Sequence, residues 1–134
     1  MNKDTENNAR ITFDEATRYM DNAYKELLMA KKNGLVYDDT KHVSGACGIA
    51  YKGVLIALDG ILVLKGIERN KGRVSIDYYK SNVAKLDKKM LNSLNVVYEI
   101  LHLSGYYDGF NNVKILTIGF KEAENIIKKL KQSI

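Results

Sequence analysis

Proline is absent from all 134 residues. The edge strands and tight loops of a β-sandwich normally draw on several prolines, whereas a few long helices do without them. The chain is therefore expected to be all-α. Its length is that of one domain, and a fold of this size removes roughly two-thirds of the unfolded chain's surface from water, enough for a core without disulfides or structural metal. Composition agrees, with 46% apolar and 28% charged residues. The single cysteine, Cys47, excludes an intrachain disulfide and a Cys-rich zinc site. It fits a reducing compartment, and the cytoplasm is the expected location.

Periodicity places the helices. Thr12-Phe13-Asp14-Glu15 has the form of a capping box, and Phe13, Ala16, Met20, Ala23, Leu27 and Ala30 follow at alternating three- and four-residue steps. A first helix is expected over 12–32, stopped by Gly34. Met1 to Asn8 are polar and lack the apolar stretch of a signal peptide, and residues 1–11 are expected to be disordered or poorly ordered. The second helix, expected over 40–65, is unusual. Its first half is built from small residues, Ser44, Gly45, Ala46, Cys47, Gly48, Ala50 and Gly53, and its second half, Val54 to Leu64, is apolar nearly all round. Each interior glycine lowers helix propensity by roughly 1 kcal/mol relative to alanine, so close packing by neighbouring helices has to compensate. This helix should be central. The apolar run covers about half of the roughly 20 residues that span a bilayer and contains Asp59, so a buried core helix is expected, with no membrane partner.

A basic, glycine-bracketed loop follows Gly66. Ser75 and Asp87 then suit the N-caps of helices over 75–85 and 87–103, which read equally as one kinked helix. The stretch 104–109 breaks the pattern. From Asn112 onward Val113, Leu116, Phe120, Ala123, Ile127, Leu130 and Ile134 form a last stripe ending among lysines. The expected architecture is an antiparallel, up-and-down bundle of four to five helices over 12–134, with no repeat or linker dividing it.

Few residues offer chemistry. His42 and His102 are the two histidines, and neither has a second histidine or a cysteine at a one-turn spacing, so no metal site and no cofactor are expected. The glycines of the second helix lie inside a helical pattern and form no phosphate loop. Cys47 reads as a buried structural thiol. Asp59 is the one charge in the apolar run and needs either a solvent cleft or a partner on a neighbouring helix; Tyr51 lies eight residues earlier near the same face. Residues 65–89 carry eight basic side chains against three acidic ones. Arg69, Lys71 and Arg73 are the candidates there for phosphate or nucleic-acid contact.

Two segments carry a resemblance to a known superfamily. Ser44 to Gly66, with its small-residue and tyrosine stretch before an Ala/Leu-rich run ending in Lys65-Gly66, is similar to the central helix of HEPN domains. Leu86 to Met90 followed by His102-Leu103-Ser104-Gly105-Tyr106-Tyr107-Asp108 resembles the late HEPN helix that leads into an Arg-x-x-Ala-Asp-Tyr-Asp motif. The run Tyr98 to Gly109 is also similar to a family of small bacterial helical proteins with a domain of unknown function, a likeness covering nearly the whole chain. HEPN ribonucleases rest on an arginine followed four to six residues later by histidine, and no arginine here lies within six residues before His42 or His102. His102 stands where the arginine of the longer motif stands, Tyr106 replaces its aspartate, and Tyr107 and Asp108 match.

The resemblance implies a non-catalytic HEPN-like bundle, a homodimer, that binds a nucleotide, RNA or a partner protein such as a nucleotidyltransferase. Its candidate ligand-binding residues are Tyr51, Asp59, His102, Tyr106, Tyr107 and Asp108. The alternatives are a metal-independent ribonuclease centred on His102 and a purely structural homodimer.

Overall fold

A computed structural model describes residues 2–67 and 74–134. It is 81% helical. Five α-helices follow in order, α1 (Lys3–Met29), α2 (Thr40–Leu64), α3 (Ile76–Leu86), α4 (Lys88–Val97) and α5 (Val113–Gln132), and α4 runs directly into a π-helical segment, Tyr98–Tyr107. The all-α bundle expected from the missing prolines is what forms. Between α1 and α2 lies a hairpin too short to leave an alternating pattern, β1 (Lys32–Asn33) and β2 (Val36–Tyr37), paired antiparallel.

The first helix starts a full nine residues before the expected Thr12. Asn2 is the cap, its side chain accepting from the Thr5 amide at 2.7 Å, and Asp4 and Glu6 sit in the first turn, where the helix dipole favours them. Thr12 lies mid-helix and donates its hydroxyl to the Asn8 carbonyl at 2.9 Å. What orders the turns expected to be loose is packing: Ala9 is buried, and the Thr12 methyl lies over Gly60 of α2, 3.0 Å from where a Cβ would stand. The other end is also corrected. The helix stops at Met29, and the left-handed residue after it is Lys31, with φ 55°, while Gly34, with φ 64°, serves the hairpin turn. The hairpin in turn ties the α1–α2 connection to the start of α5. Val36 bridges Asn112, the Tyr37 amide donates to the Asn111 carbonyl at 2.9 Å, and the Val113 amide donates to the Leu35 carbonyl at 2.9 Å.

The helix α2 is central, touching α1, α5 and the π segment. By length and composition alone its 25 residues could cross a membrane, and here that apolarity contacts the surrounding helices. Its glycines are the approach points. A Cβ on Gly53 would stand 3.1 Å from the Tyr19 side chain of α1, and one on Gly60 would stand 3.0 Å from Leu130 of α5. Cys47 is fully buried, and burial pushes its thiol up to about 12, so it serves as core.

The helices α3 and α4 are separate. Asp87 divides them in an extended conformation, and its carboxylate accepts from the amides of Lys89 at 2.9 Å and Met90 at 3.1 Å. Lys129 of α5 reaches the same carboxylate at 3.5 Å. The bond from Met90 and the lysine charge hold this carboxyl below its usual range.

Candidate functional site: a ring cluster on a π-helical segment

The backbone at Tyr98–Tyr107 decides which side chains meet. In an α-helix, residues five apart point roughly 140° away from each other. A π-helix bonds each amide to the carbonyl five residues earlier and so brings residues five apart back to one side. The Asp108 amide, donating to the Leu103 carbonyl at 3.1 Å, ends the segment in this way. Tyr107 is thereby returned to His102, with ring centroids 5.0 Å apart and nearly perpendicular planes.

His102 is the hub. Tyr51 of α2 stacks on it at 4.4 Å, Tyr98 lies at 5.2 Å, and Tyr106 lies at 6.1 Å with its plane only 7° from parallel. Tyr106 and Tyr107 meet edge to face at 5.2 Å. Such contacts contribute about 0.5–1.5 kcal/mol each beyond simple burial.

The small-residue half of α2 is the bed on which this segment rests. The Ser44 hydroxyl donates to the Gly105 carbonyl at 3.1 Å. A Cβ on Gly105 would stand 2.4 Å from the Cys47 sulfur, and a Cβ on Gly48 would stand 2.8 Å from the Tyr106 ring. The glycine content that disfavours α2 as an isolated helix is what admits the π segment and its rings.

The outer face of the cluster is a shallow depression of about 460 Å³, lined by rings, glycines, Ile49 and Leu55 together with Lys52, and among the described residues no carboxylate lines it. The Lys80 ammonium sits 4.7 Å above the Tyr98 ring, in range for a cation–π interaction. Tyr106 and Tyr107 are exposed at 46% and 67%, so both side chains are reachable from solvent. Burial lowers the His102 pKa and raises that of Tyr51 to about 12, with Tyr98 adding to the latter. A neutral imidazole at His102 and a neutral phenol at Tyr51 are thus the resting forms at neutral pH.

A pH dependence follows from His102. Its folded pKa lies below the unfolded value of about 6.5, so the folded state binds its proton less readily than the unfolded state. The stability associated with neutral His102 is complete above that value and declines as pH falls through the folded pKa. Urea titrations at pH 7 and pH 5.5 are expected to show a loss of stability that is smaller in His102→Gln. An imidazole titrating above 6.5 by NMR would contradict this.

The structure brings together Tyr51, His102, Tyr106 and Tyr107 and leaves the other expected residues elsewhere. Asp59, about 12 Å further along α2, accepts a hydrogen bond from the Tyr79 hydroxyl of α3 at 2.8 Å and faces the first turns of α1. Asp108 follows the cluster as the exposed residue closing the π segment. Arg69, Lys71 and Arg73 lie outside the described residues. His42 serves the α1–α2 contact, with Nδ1 2.8 Å from Glu26 and Nε2 3.7 Å from Asp39. Tyr98, Lys52 and Lys80 were not anticipated. The four-residue step from Tyr98 to His102 was visible in the chain, whereas the approach of Lys80 depends on how α3 packs. Among the described residues no group of three or more His, Cys, Asp or Glu side chains could hold a metal ion.

Among the described residues, rings and one lysine line the depression, and neither a carboxylate nor an arginine does. The fold and this cluster define a class: a helical bundle whose fourth helix passes into a π-helical, tyrosine-rich segment laid across a small-residue central helix. The chain belongs to the family described as a domain of unknown function, DUF5618, which matches residues 11–132. A solved structure of a protein of unknown function from Dyadobacter fermentans is similar to it at 40% identity, with a TM-score of 0.86, covering 94% of this chain and 98% of that one. No curated protein matches the chain.

Proposed function

We propose that the protein is a non-catalytic, HEPN-like binding module that takes a nucleotide or single-stranded RNA on the ring cluster around His102. The observation that supports this most is the pairing of two solvent-facing tyrosines, Tyr106 and Tyr107, with the Lys52 and Lys80 ammonium groups around one hub. A nucleobase presents a flat face of the kind such rings stack on, at about 1–3 kcal/mol per base, and its phosphate suits the lysines. The lack of an arginine four to six residues before His102 weighs against catalysis, since in that motif the arginine supplies the fixed positive charge that stabilises a developing phosphorane.

The test is anisotropy with a short fluorescein-labelled RNA, alongside NMR titration with AMP. Tyr107→Ala is expected to weaken RNA binding at least fivefold, and Lys52→Ala to reduce the salt slope by about one. Affinity unchanged by Tyr107→Ala, or insensitive to salt, would refute the reading. Metal-free RNA cleavage lost in His102→Ala would replace it with the ribonuclease alternative.

A further inference from the structure

A larger hollow lies away from the ring cluster. The helices α1 and α5 run antiparallel, with Lys131 over the Phe13 ring at one end and Tyr24 bonded to Glu124 nearer the other. Beyond that bond the two helices leave a slot of about 570 Å³, in the range typical of small-molecule sites. Its walls are apolar, chiefly Leu27, Leu28, Phe120 and the Tyr37 ring. The slot is bounded at both ends. The Tyr24 hydroxyl donates to Glu124 at one, and the hairpin residues Lys32 and Tyr37 line the other. From Thr117 to Glu124 along α5 is about 10 Å. A partner helix would have to continue past both ends, so the enclosure favours a small occupant of about that length.

The charges select its head group. The Glu124 carboxylate is engaged by Tyr24, whose phenol burial pushes further from ionisation. Lys32 and Lys121 both line the slot, and neither ammonium forms an ion pair among the described residues. Two unpaired cations beside an apolar wall suit an anion carried on a hydrocarbon body. We propose that the α1–α5 slot is a binding site for a small amphipathic carboxylate of the medium-chain acyl type, its chain on Leu27, Leu28 and Phe120 and its carboxylate between Lys32 and Lys121. This site is independent of the ring cluster, and either can fail without the other.

Octanoate, with octylammonium as the probe of opposite charge on the same chain, tests the assignment, read by methyl NMR of the full chain. Octanoate is expected to shift the Leu27, Leu28 and Thr117 methyl signals saturably. The Lys32→Ala/Lys121→Ala double variant, altering two exposed side chains, is expected to weaken octanoate at least fivefold and to leave AMP shifts at the ring cluster unchanged. Octylammonium should bind at least fivefold more weakly than octanoate. Absence of saturable shifts at these methyls, equal binding of the two probes, or octanoate affinity unchanged in the double variant would each overturn the proposal.

Discussion

Gly105→Ala is expected to destabilise the protein by about 3 kcal/mol, measured as the change in urea-unfolding free energy, because the new methyl overpacks a filled site. The position a Cβ would take lies 2.4 Å from the Cys47 sulfur, 3.0 Å from the Cys47 Cβ and 3.2 Å from the Ile100 carbonyl oxygen. No small side-chain rotation answers this, since Cys47 is fully buried and the Ile100 oxygen is backbone. The clash with sulfur is the worst of the three, so Cys47→Ala in the same chain should restore part of the loss. The double variant is expected to be at least about 1 kcal/mol more stable than the sum of the two single effects. Strict additivity would mean that the π segment does not press on α2 as described.

Leu101→Ala carries a second large effect, about 3 kcal/mol. Leu101 is fully buried where the π segment meets α5, beside Gly119, at which a Cβ would stand 2.9 Å from the Leu101 side chain. Its informative partner is Leu94→Ala in α4, an equally buried leucine on regular α-helix. Both should reduce stability by similar amounts. Only Leu101→Ala is expected to move the His102 ring protons, because it loosens the segment that holds His102 against Tyr51. Equal shifts in the two variants would show that the ring cluster does not depend on the π segment's seat.

These expectations also mark what was readable in the chain. The stripes from Phe13 to Ala30 and from Val113 to Ile134 announce their helices because burial on one face imposes a period near 3.6. Asp87 and Asn112 announce their caps because a short side chain accepting first-turn amides needs no tertiary help, and both do so. The start of α1 was hidden for the opposite reason. Asn2 caps a helix whose first turns pack Ala9 and Thr12 on α2, and the capping box at Thr12 looks as good locally.

The candidate site divides in the same way. Tyr51 and His102 were legible as members of one region, and so were Tyr106 and Tyr107 through their resemblance to a motif. The winding that gathers them was not, because an i→i+5 hydrogen bond has no residue signature. Asp59 was misplaced with them because helical spacing reports a shared face and says little about which neighbour covers that face at a given height. Tyr79 of α3 covers it there.

The tie between the hairpin and the start of α5 sets a folding order. Val36 and Asn112 lie on either side of most of the bundle in sequence, and their bridge closes a loop containing α2, α3, α4 and the π segment. Helical bundles fold fast because their contacts are local, and this one carries a small non-local lock. The entropy of closing so long a loop is recovered only once the intervening helices are compact. The bridge should therefore form late, and weakening it should raise the unfolding rate more than it lowers the folding rate.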